Sequence, residues 1–507
     1  MRAIQIVRTN KVICRQLFAV LSIFVAASAT AAERPNVIFF ALDDLCDWVG
    51  PLGYEQAQTP NMDALARSGV TFSNAHTAGT FCAPSRTAIF TGRHASTTGC
   101  YTTEVYFHDH PDLQPLQMTF QKGGYKTFGT GKLFHHPAGY VDLRGWEQFF
   151  VRSERQKREG WPLDSWTDET PIPQPYPNSI YNIGRKPANR FFLEWGKVPN
   201  DREEEMADTI RTNWACDILR QRHDGPFFLG VGLYTPHFPN YAPQKYFDLY
   251  DVEAIKPPLY KEDDLDDLPE KVKKAKTNRS RIHQRLVETD SVEHAIHGYL
   301  ASVSYADAML GRVLRTLRES PYADNTIVIL WSDHGYHHGE KGDWGKHTLW
   351  ERTSNVPLIW SGGGIAKGAD VQATVSLIDM YPTLIDICGL PAVDGLDGTS
   401  LAGTLKDPST ARDRNVLLPY LEPGGYAIIN QTWRYIHYSD STEELYNVKN
   451  DPHEWNNLAS DSRHREVKQE LLAVAPENFA PAGTPKKTLR LVTENELFHW
   501  DVKRRAR

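Results

Sequence analysis

The chain has 507 residues, of which 40% are hydrophobic, 11% aromatic and 23% charged, a balance that supports a large core and excludes a disordered or fibrous chain. Length alone suggests about three domains, a loose guide because large α/β enzymes exceed the usual divisor. The formal net charge of -7 excludes a general nucleic-acid binder, which needs a basic face, but not an anionic small substrate, for which a few converging lysines or arginines suffice.

The first segment stands apart. Arg2, Arg8, Lys11 and Arg15 precede an apolar run from Leu17 to Ala29 and then Thr30, Ala31 and Ala32, the pattern of a secretory signal peptide over 1–32. The run is shorter than the ~20 apolar residues of a membrane span. A periplasmic or secreted protein is expected, with no membrane span after cleavage. Cleavage removes Cys14 and leaves Cys46, Cys82, Cys100, Cys216 and Cys388. An odd count in an exported protein leaves at least one thiol unpaired or meant for something else. Cys82 is taken as that thiol, and pairing among the other four is left open.

Short apolar runs then alternate with amphipathic helices, which predicts a largely parallel or mixed sheet covered on both faces. Asn36 to Leu42 is the first run and ends in Asp43-Asp44. Thr59-Pro60 opens a helix as N-cap and first residue, with Asp63 in its first turn and Gly69 beyond its end. Tyr125 to Phe128 runs toward Gly131-Lys132-Leu133-Phe134-His135. Residues 151 to 205 read as an insertion whose Trp161, Trp166, Tyr176 or Tyr181 wall a pocket or pack in a core. Phe227 to Leu233 leads into Thr235-Pro236-His237. Residues 260 to 290 are a mixed-charge run, read as a solvated helix and loop. From Val292 the residues Ile296, Leu300, Val303, Leu310, Val313, Leu314 and Leu317 recur at helical spacing and predict a helix against the sheet. Thr326 to Trp331 ends in Asp333-His334-Gly335. After Gly398 the character changes: Tyr426 to Tyr438 reads as two strands around Asn430-Gln431-Thr432, implying a small antiparallel sheet. In open α/β sheets the ligand crevice lies outside the carboxyl ends of the strands, so the four polar motifs are expected to meet there.

Cys82-Ala83-Pro84-Ser85-Arg86-Thr87-Ala88 and the following Thr91-Gly92-Arg93 resemble the motif of the formylglycine-dependent sulfatase family, and the other motifs occur in that family's order. The resemblance spans nearly the whole mature chain. It implies an α/β, alkaline-phosphatase-like sandwich with a central mostly parallel sheet flanked by helices, a catalytic domain over 33–400 and a smaller C-terminal subdomain with an antiparallel sheet over 401–507. It implies that a formylglycine-generating or equivalent maturation enzyme oxidises Cys82. A hydrated aldehyde carries two oxygens, one to attack sulfur and one to expel sulfate by C–O cleavage, an exit that a serine sulfate lacks.

By the same resemblance Arg86 holds the formylglycine hydrate, and Asp43, Asp44, position 82, Asp333 and His334 ligate one Ca2+. Three carboxylates suit that hard cation. His334 stands where many arylsulfatases carry Asn, and its imidazole keeps Mn2+ or another divalent ion as the alternative. Lys132, in Gly-Lys-x-x-His, and Lys346, in Gly-Asp-Trp-Gly-Lys-His, match the two lysines that grip sulfate oxygens. His135 is assigned to the diol, and His237, with Lys346, to protonation of the departing alcohol, tasks that suit a side chain titrating near neutral pH. His337, His338 and His347 are given no role. The Asp-His pair is shared with iduronate-2-sulfatase-like enzymes and formylglycine phosphonate monoester hydrolases, and the whole pattern is closest to the former. A sulfated carbohydrate substrate is therefore expected. A phosphonate or phosphate ester hydrolase and a catalytically silent carbohydrate-binding protein are the alternatives.

Overall fold

The computed structural model describes residues 34–135, 141–150, 193–494 and 497–503, and for 276–280, 490–494 and 497–500 the backbone alone. The expected signal peptide and the aromatic residues at 161, 166, 176 and 181 lie outside the described residues. Arg34 onward forms one compact unit.

Its centre is an eight-stranded sheet of β1 (Asn36–Leu42), β2 (Gly69–Phe72), β3 (Lys126–Gly131), β4 (Gln148–Phe150), β5 (Phe227–Gly232), β6 (Thr326–Ser332), β7 (Leu358–Ser361) and β8 (Ala369–Val371). The spatial order is β8-β2-β7-β6-β1-β5-β3-β4. Only β7 runs against its neighbours, and β6, β1, β5 and β3 form an unbroken parallel block. Every residue of β1 and β6 is buried. Parallel strands covered on both faces read as continuous apolar runs for this reason.

Alternation along β1 divides the core. Ile38, Phe40 and Leu42 face one layer with Ile296, Leu300, Val303, Leu310, Val313 and Leu317, as the helical spacing from Val292 implies. Val37, Phe39 and Ala41 face the other with Ile89 and Phe90. The helices used below are α1 (Pro60–Arg67), α2 (Cys82–Thr91), α3 (Ala207–Arg220), α4 (Glu270–Glu288) and α5 (Val292–Glu319).

The expected strand at Tyr125 to Phe128 is displaced: β3 begins at Lys126 and continues through Gly131. Gly129, Thr130 and Gly131 carry no apolar signal, yet small residues are needed there. A Cβ on Gly129 would lie 2.7 Å from the Phe149 ring, and one on Gly131, at φ +67°, would lie 2.0 Å from the Gly232 carbonyl. Residue 59 does begin α1, but its side chain makes no capping bond; its hydroxyl accepts from the Gly50 amide and donates to Asp63. The mixed-charge run contains α4, which is largely exposed and anchored by Val272 and Leu286.

Register sets the strand ends level: Leu42 lies opposite Ser332, Ala41 opposite Gly232, and Gly131 opposite Gly232. The chain therefore leaves four adjacent strands at one height. Beyond this sheet, β9 (Val416–Pro419), β10 (Tyr426–Ile429), β11 (Trp433–His437) and β12 (Glu443–Asn447) form the antiparallel C-terminal sheet. Its central turn is fixed by Asn430, whose Oδ1 accepts from the Thr432 and Trp433 amides at 2.9 and 2.8 Å, the local bond that makes Asn a turn residue. All five described cysteines are free and buried, so pairing does not single out Cys82. Among the described residues no helix is long and apolar enough to cross a membrane.

Candidate active site and metal centre

Cys82 is the first residue of α2, a helix buried at every position. Its thiol is 1% exposed. Around Sγ lie His334 Nε2 at 3.2 Å, Lys346 Nζ at 3.3 Å and Lys132 Nζ at 3.6 Å. Burial pushes the thiol pKa well up and Asp43 adds to this, against the pull of Lys132 and Lys346. A cysteine that attacks as itself needs the opposite, a depressed pKa and a standing thiolate. Burial therefore holds the Cys82 side chain as the protonated thiol.

One turn on, Arg86 is fully buried and ties the strand ends together. Nε donates to Asp333 Oδ2 at 2.7 Å, one terminal nitrogen donates to the Leu42 carbonyl at 3.1 Å and to Asp43 Oδ1 at 3.3 Å, and the other donates to the Lys132 carbonyl. It is no surface cation. The flat fork of a guanidinium is the shape that reaches several acceptors at once. Ser85 and Thr77 add to the clamp by donating to the Asp333 carbonyl at 2.6 and 2.5 Å.

Asp43, Asp44, Asp333 and His334 are all at most 1% exposed. Asp44 adopts φ 61°, a left-handed turn at the end of β1. Asp43 is paired with Lys132 and Arg86, and Asp44 Oδ1 accepts from Lys346 Nζ at 2.6 Å. Burial alone would raise both carboxyls, but the surrounding charge wins: Lys132 and Arg86 hold Asp43 well below the usual range and Lys346 lowers Asp44, with His237 adding to both only in acid, where it is itself protonated. Both are carboxylates at any working pH.

These residues suit a divalent cation. Ligand atoms of Asp43, Cys82, Asp333 and His334 lie within 4.8 Å of one another, as do those of Asp43, Asp44, Cys82 and His237. The two groups share Asp43 and position 82, and Asp44 Oδ1 is 3.5 Å from His334 Nε2. Asp44 Oδ2 is buried without a hydrogen-bond donor among the described residues. His334 Nδ1 donates to the Gly335 carbonyl at 3.0 Å, which leaves the Nε2 lone pair aimed at the cluster, the tautomer that metal-bound imidazoles use.

His237 joins from the loop after β5. Its Nδ1 donates to the Phe238 carbonyl, so Nε2 faces the site, 3.6 Å from Asp44 Oδ2. Burial lowers its pKa to about 4, against the pull of Asp44, so the imidazole is neutral near neutral pH. His135 is half-buried at the rim, its ring centroid 4.9 Å from Phe81, and His347 flanks Phe81 at the same distance. Asp43, Asp44, Lys132, His237, Asp333, His334 and Lys346 thus gather around position 82 with Arg86 tying them together, and His135 lies against the ring of the neighbouring Phe81. Phe81, Thr77 and Tyr234, whose ring lies 4.6 Å below Lys132 Nζ, escaped the sequence reading. A lone aromatic or hydroxyl carries no motif. His338 is core: its ring packs against Tyr299 and Trp48, and the Tyr299 hydroxyl donates to the Asp44 carbonyl at 2.8 Å.

A sequence profile described as Sulfatase matches residues 35–390, and one described as N-sulphoglucosamine sulphohydrolase, C-terminal, matches 339–476. The chain is 36% identical to a sulfatase of Formosa agariphila over 88% of this chain and 87% of that one. It is 28% identical to the iduronate 2-sulfatase of Mus musculus over 72% and 71%. The fold is similar to that of a phosphonate monoester hydrolase from Silicibacter pomeroyi, with a TM-score of 0.70 at 19% identity over 94% of this chain and 100% of that one. The profile that covers the whole site, and the strand ends that assemble it, place this chain in the sulfatase family: it is a sulfuric ester hydrolase.

Proposed function

We propose that the chain removes sulfate from a sulfated carbohydrate, with residue 82 carried as formylglycine and one divalent cation, calcium first, bound by Asp43, Asp44, Asp333 and His334. The observation that carries this reading is the pair of lysine ammonium groups within 3.6 Å of Sγ on a residue whose thiol is held protonated by burial. Two cations aimed at one atom are of little use to a neutral thiol and of great use to an oxyanion. The Gly-Lys-x-x-His, Pro-His and Asp-His pattern and the sugar named by similar sulfatases support a carbohydrate, with an iduronate-2-sulfatase-like activity as the finer reading.

A geminal diol at position 82 supplies one oxygen to attack sulfur and a second whose deprotonation expels sulfate, regenerating the aldehyde. Held by Asp43, Asp44, Asp333 and His334, a divalent cation would supply Lewis-acid polarisation of the sulfate and lower the cost of gathering negative charge. Lys132 and Lys346 hold the sulfate oxygens, while Arg86 keeps Asp43 and Asp333 at fixed positions. His237 Nε2 delivers a proton to the departing alcohol oxygen. The neutral imidazole of the free site gains its proton as the anionic ester arrives. His135 takes the proton from the remaining hydroxyl. Export through the segment 1–32 would bring the enzyme to extracellular sulfated polysaccharide.

Mass spectrometry of the peptide spanning residue 82, from active protein made in its native host, tests the reading. Formylglycine is expected, and a thiol throughout an active preparation would overturn it. The shared fold and Asp-His pair also suit phosphonate or phosphate esters, so sulfate and phosphate ester turnover should be measured side by side. A strong preference for phosphate would displace the sulfate reading. A silent carbohydrate binder would bind unchanged after Cys82→Ala, whereas the enzyme loses turnover.

A further inference from the structure

Asp208 lies in the first turn of α3, far in sequence from every motif and 5% exposed. Its carboxylate faces the loop that follows β5. Oδ1 and Oδ2 accept from the Tyr234 amide at 3.1 and 3.0 Å, and Oδ2 accepts from the Thr235 amide at 2.9 Å and from the Thr235 hydroxyl at 2.6 Å. Arg211, one turn along and fully buried, donates to Oδ1 at 2.7 Å. A single buried carboxylate therefore gathers two consecutive amides, a hydroxyl and a guanidinium.

What this anchor holds is the pair of groups assigned to sulfate and leaving group. The His237 amide donates to the Tyr234 carbonyl at 2.9 Å, so the turn that presents His237 is built on the residue Asp208 grips. The Tyr234 ring sits 4.6 Å from Lys132 Nζ on the site side and 5.6 Å from the Arg211 guanidinium. An ammonium over an aromatic face is attracted by the ring quadrupole. Tyr234 thereby links the anchor to a sulfate-gripping lysine. The charge on Asp208 is itself cancelled by Arg211, so it adds no net negative charge beside the incoming anion.

We infer that Asp208 is a positioning residue that fixes His237 and Lys132 together through the Tyr234-Thr235 segment. The inference rests on the roles given to His237 and Lys132 above. An asparagine at 208 offers only one acceptor oxygen and turns an amide N–H toward groups that all donate. The turn must then shift. Misplacement by about 1 Å costs on the order of 10²-fold in rate, and that is the loss expected in kcat, with KM moving less.

The decisive readout is leaving-group dependence. A displaced proton donor hurts a sugar sulfate, whose alkoxide leaves poorly, more than a nitrophenyl sulfate, whose phenolate needs no proton. Asp208→Asn should lose at least tenfold more on the former, on the scale of general-acid contributions of roughly 10²–10⁴-fold, and Thr235→Val should lose less with the same bias. In a His237→Ala background the added bias of either change should vanish. Equal losses on both substrates, or a bias that persists without His237, would overturn the inference. If Asp208→Asn does not fold, Thr235→Val alone decides. If His237→Ala shows no leaving-group bias, the role given to His237 fails and this inference with it; a biased His237→Ala beside unbiased anchor variants defeats the anchor alone.

Discussion

Lys341 and Lys346 lie five residues apart on one loop, are both nearly buried, and both pair with an aspartate. Their surroundings assign them opposite duties. Lys346 Nζ is 2.6 Å from Asp44 Oδ1 and 3.3 Å from Cys82 Sγ. Lys341 Nζ donates to Asp264 at 2.9 Å and to the Glu454 carbonyl at 2.6 Å, and packs over the Trp350 and Tyr446 rings, so it fastens the loop to the C-terminal sheet. Replacing each with methionine keeps the stem and deletes the charge. Lys346→Met removes a preorganised donor to the sulfate and should cost roughly 10²–10³-fold in kcat, about 2.7–4 kcal/mol. Lys341→Met strands buried Asp264 and should cost about 3–5 kcal/mol of stability, with kcat of the folded enzyme unchanged.

A second sign separates the two variants. In the site Asp43, Asp44 and Asp333 face Arg86, Lys132 and Lys346, carboxylates and cations in equal number. Deleting Lys346 leaves an unbalanced carboxylate, so calcium should bind more tightly while turnover falls; Lys341→Met should leave calcium affinity alone. Steady-state kinetics, thermal melts and calorimetric calcium titration read all three quantities. The reasoning fails if Lys346→Met keeps kcat within about threefold of wild type, far short of the cost of losing such a donor, or if Lys341→Met loses turnover equally.

Chelation should abolish sulfate ester turnover and lower the melting temperature, and calcium at ~100 times its Kd should restore about 2.7 kcal/mol; manganese restoring more activity than calcium would reassign the metal. Arg86→Lys keeps the charge but cannot reach Asp43, Asp333 and two carbonyls together, so a loss of roughly 3 kcal/mol, the low end for a broken buried pair, should appear in denaturant melts, and an unchanged midpoint would refute the clamp. Burial raises Glu454 to about 7, against the pull of Arg434, which it shares with Glu351. The folded state then holds a proton that the unfolded chain releases near the ordinary value of 4.5, so stability should fall as pH rises from about 4.5 through 7 and level off above. Glu454→Gln should flatten that slope, measured as wild type minus variant between pH 5 and 8.

Much of this site was legible because the chemistry sits where apolar runs stop. Asn36–Leu42 and Thr326–Ser332 are buried on both faces and announce themselves by continuous hydrophobicity, and the Asp43-Asp44 and Asp333-His334 pairs that follow them stand at the strand ends where the sheet's geometry puts a ligand crevice. β3 was half-hidden because Gly129 to Gly131 are small for steric reasons that only the neighbouring strand and Phe149 reveal. The odd cysteine count pointed at Cys82 for a reason that does not hold, since all five described thiols are free; the Cys-x-Pro-Ser-Arg spacing is the argument left for it.

What sequence hides most completely is what holds a motif residue in place. The Gly-Asp-Trp-Gly-Lys-His spacing singles out Lys346, which lies beside Cys82, but only the fold shows that Lys341, on the same loop and similarly buried, fastens that loop to Asp264. The same holds for Asp208. It belongs to no motif and lies 26 residues before the amide of Tyr234 that it accepts from, because α3 returns beside β5 to place its first turn under the loop that carries His237. Motifs record the groups that must touch the sulfate. The groups that hold those groups still are free to come from any element the fold brings alongside, so they are found by following hydrogen bonds outward from the reacting atom.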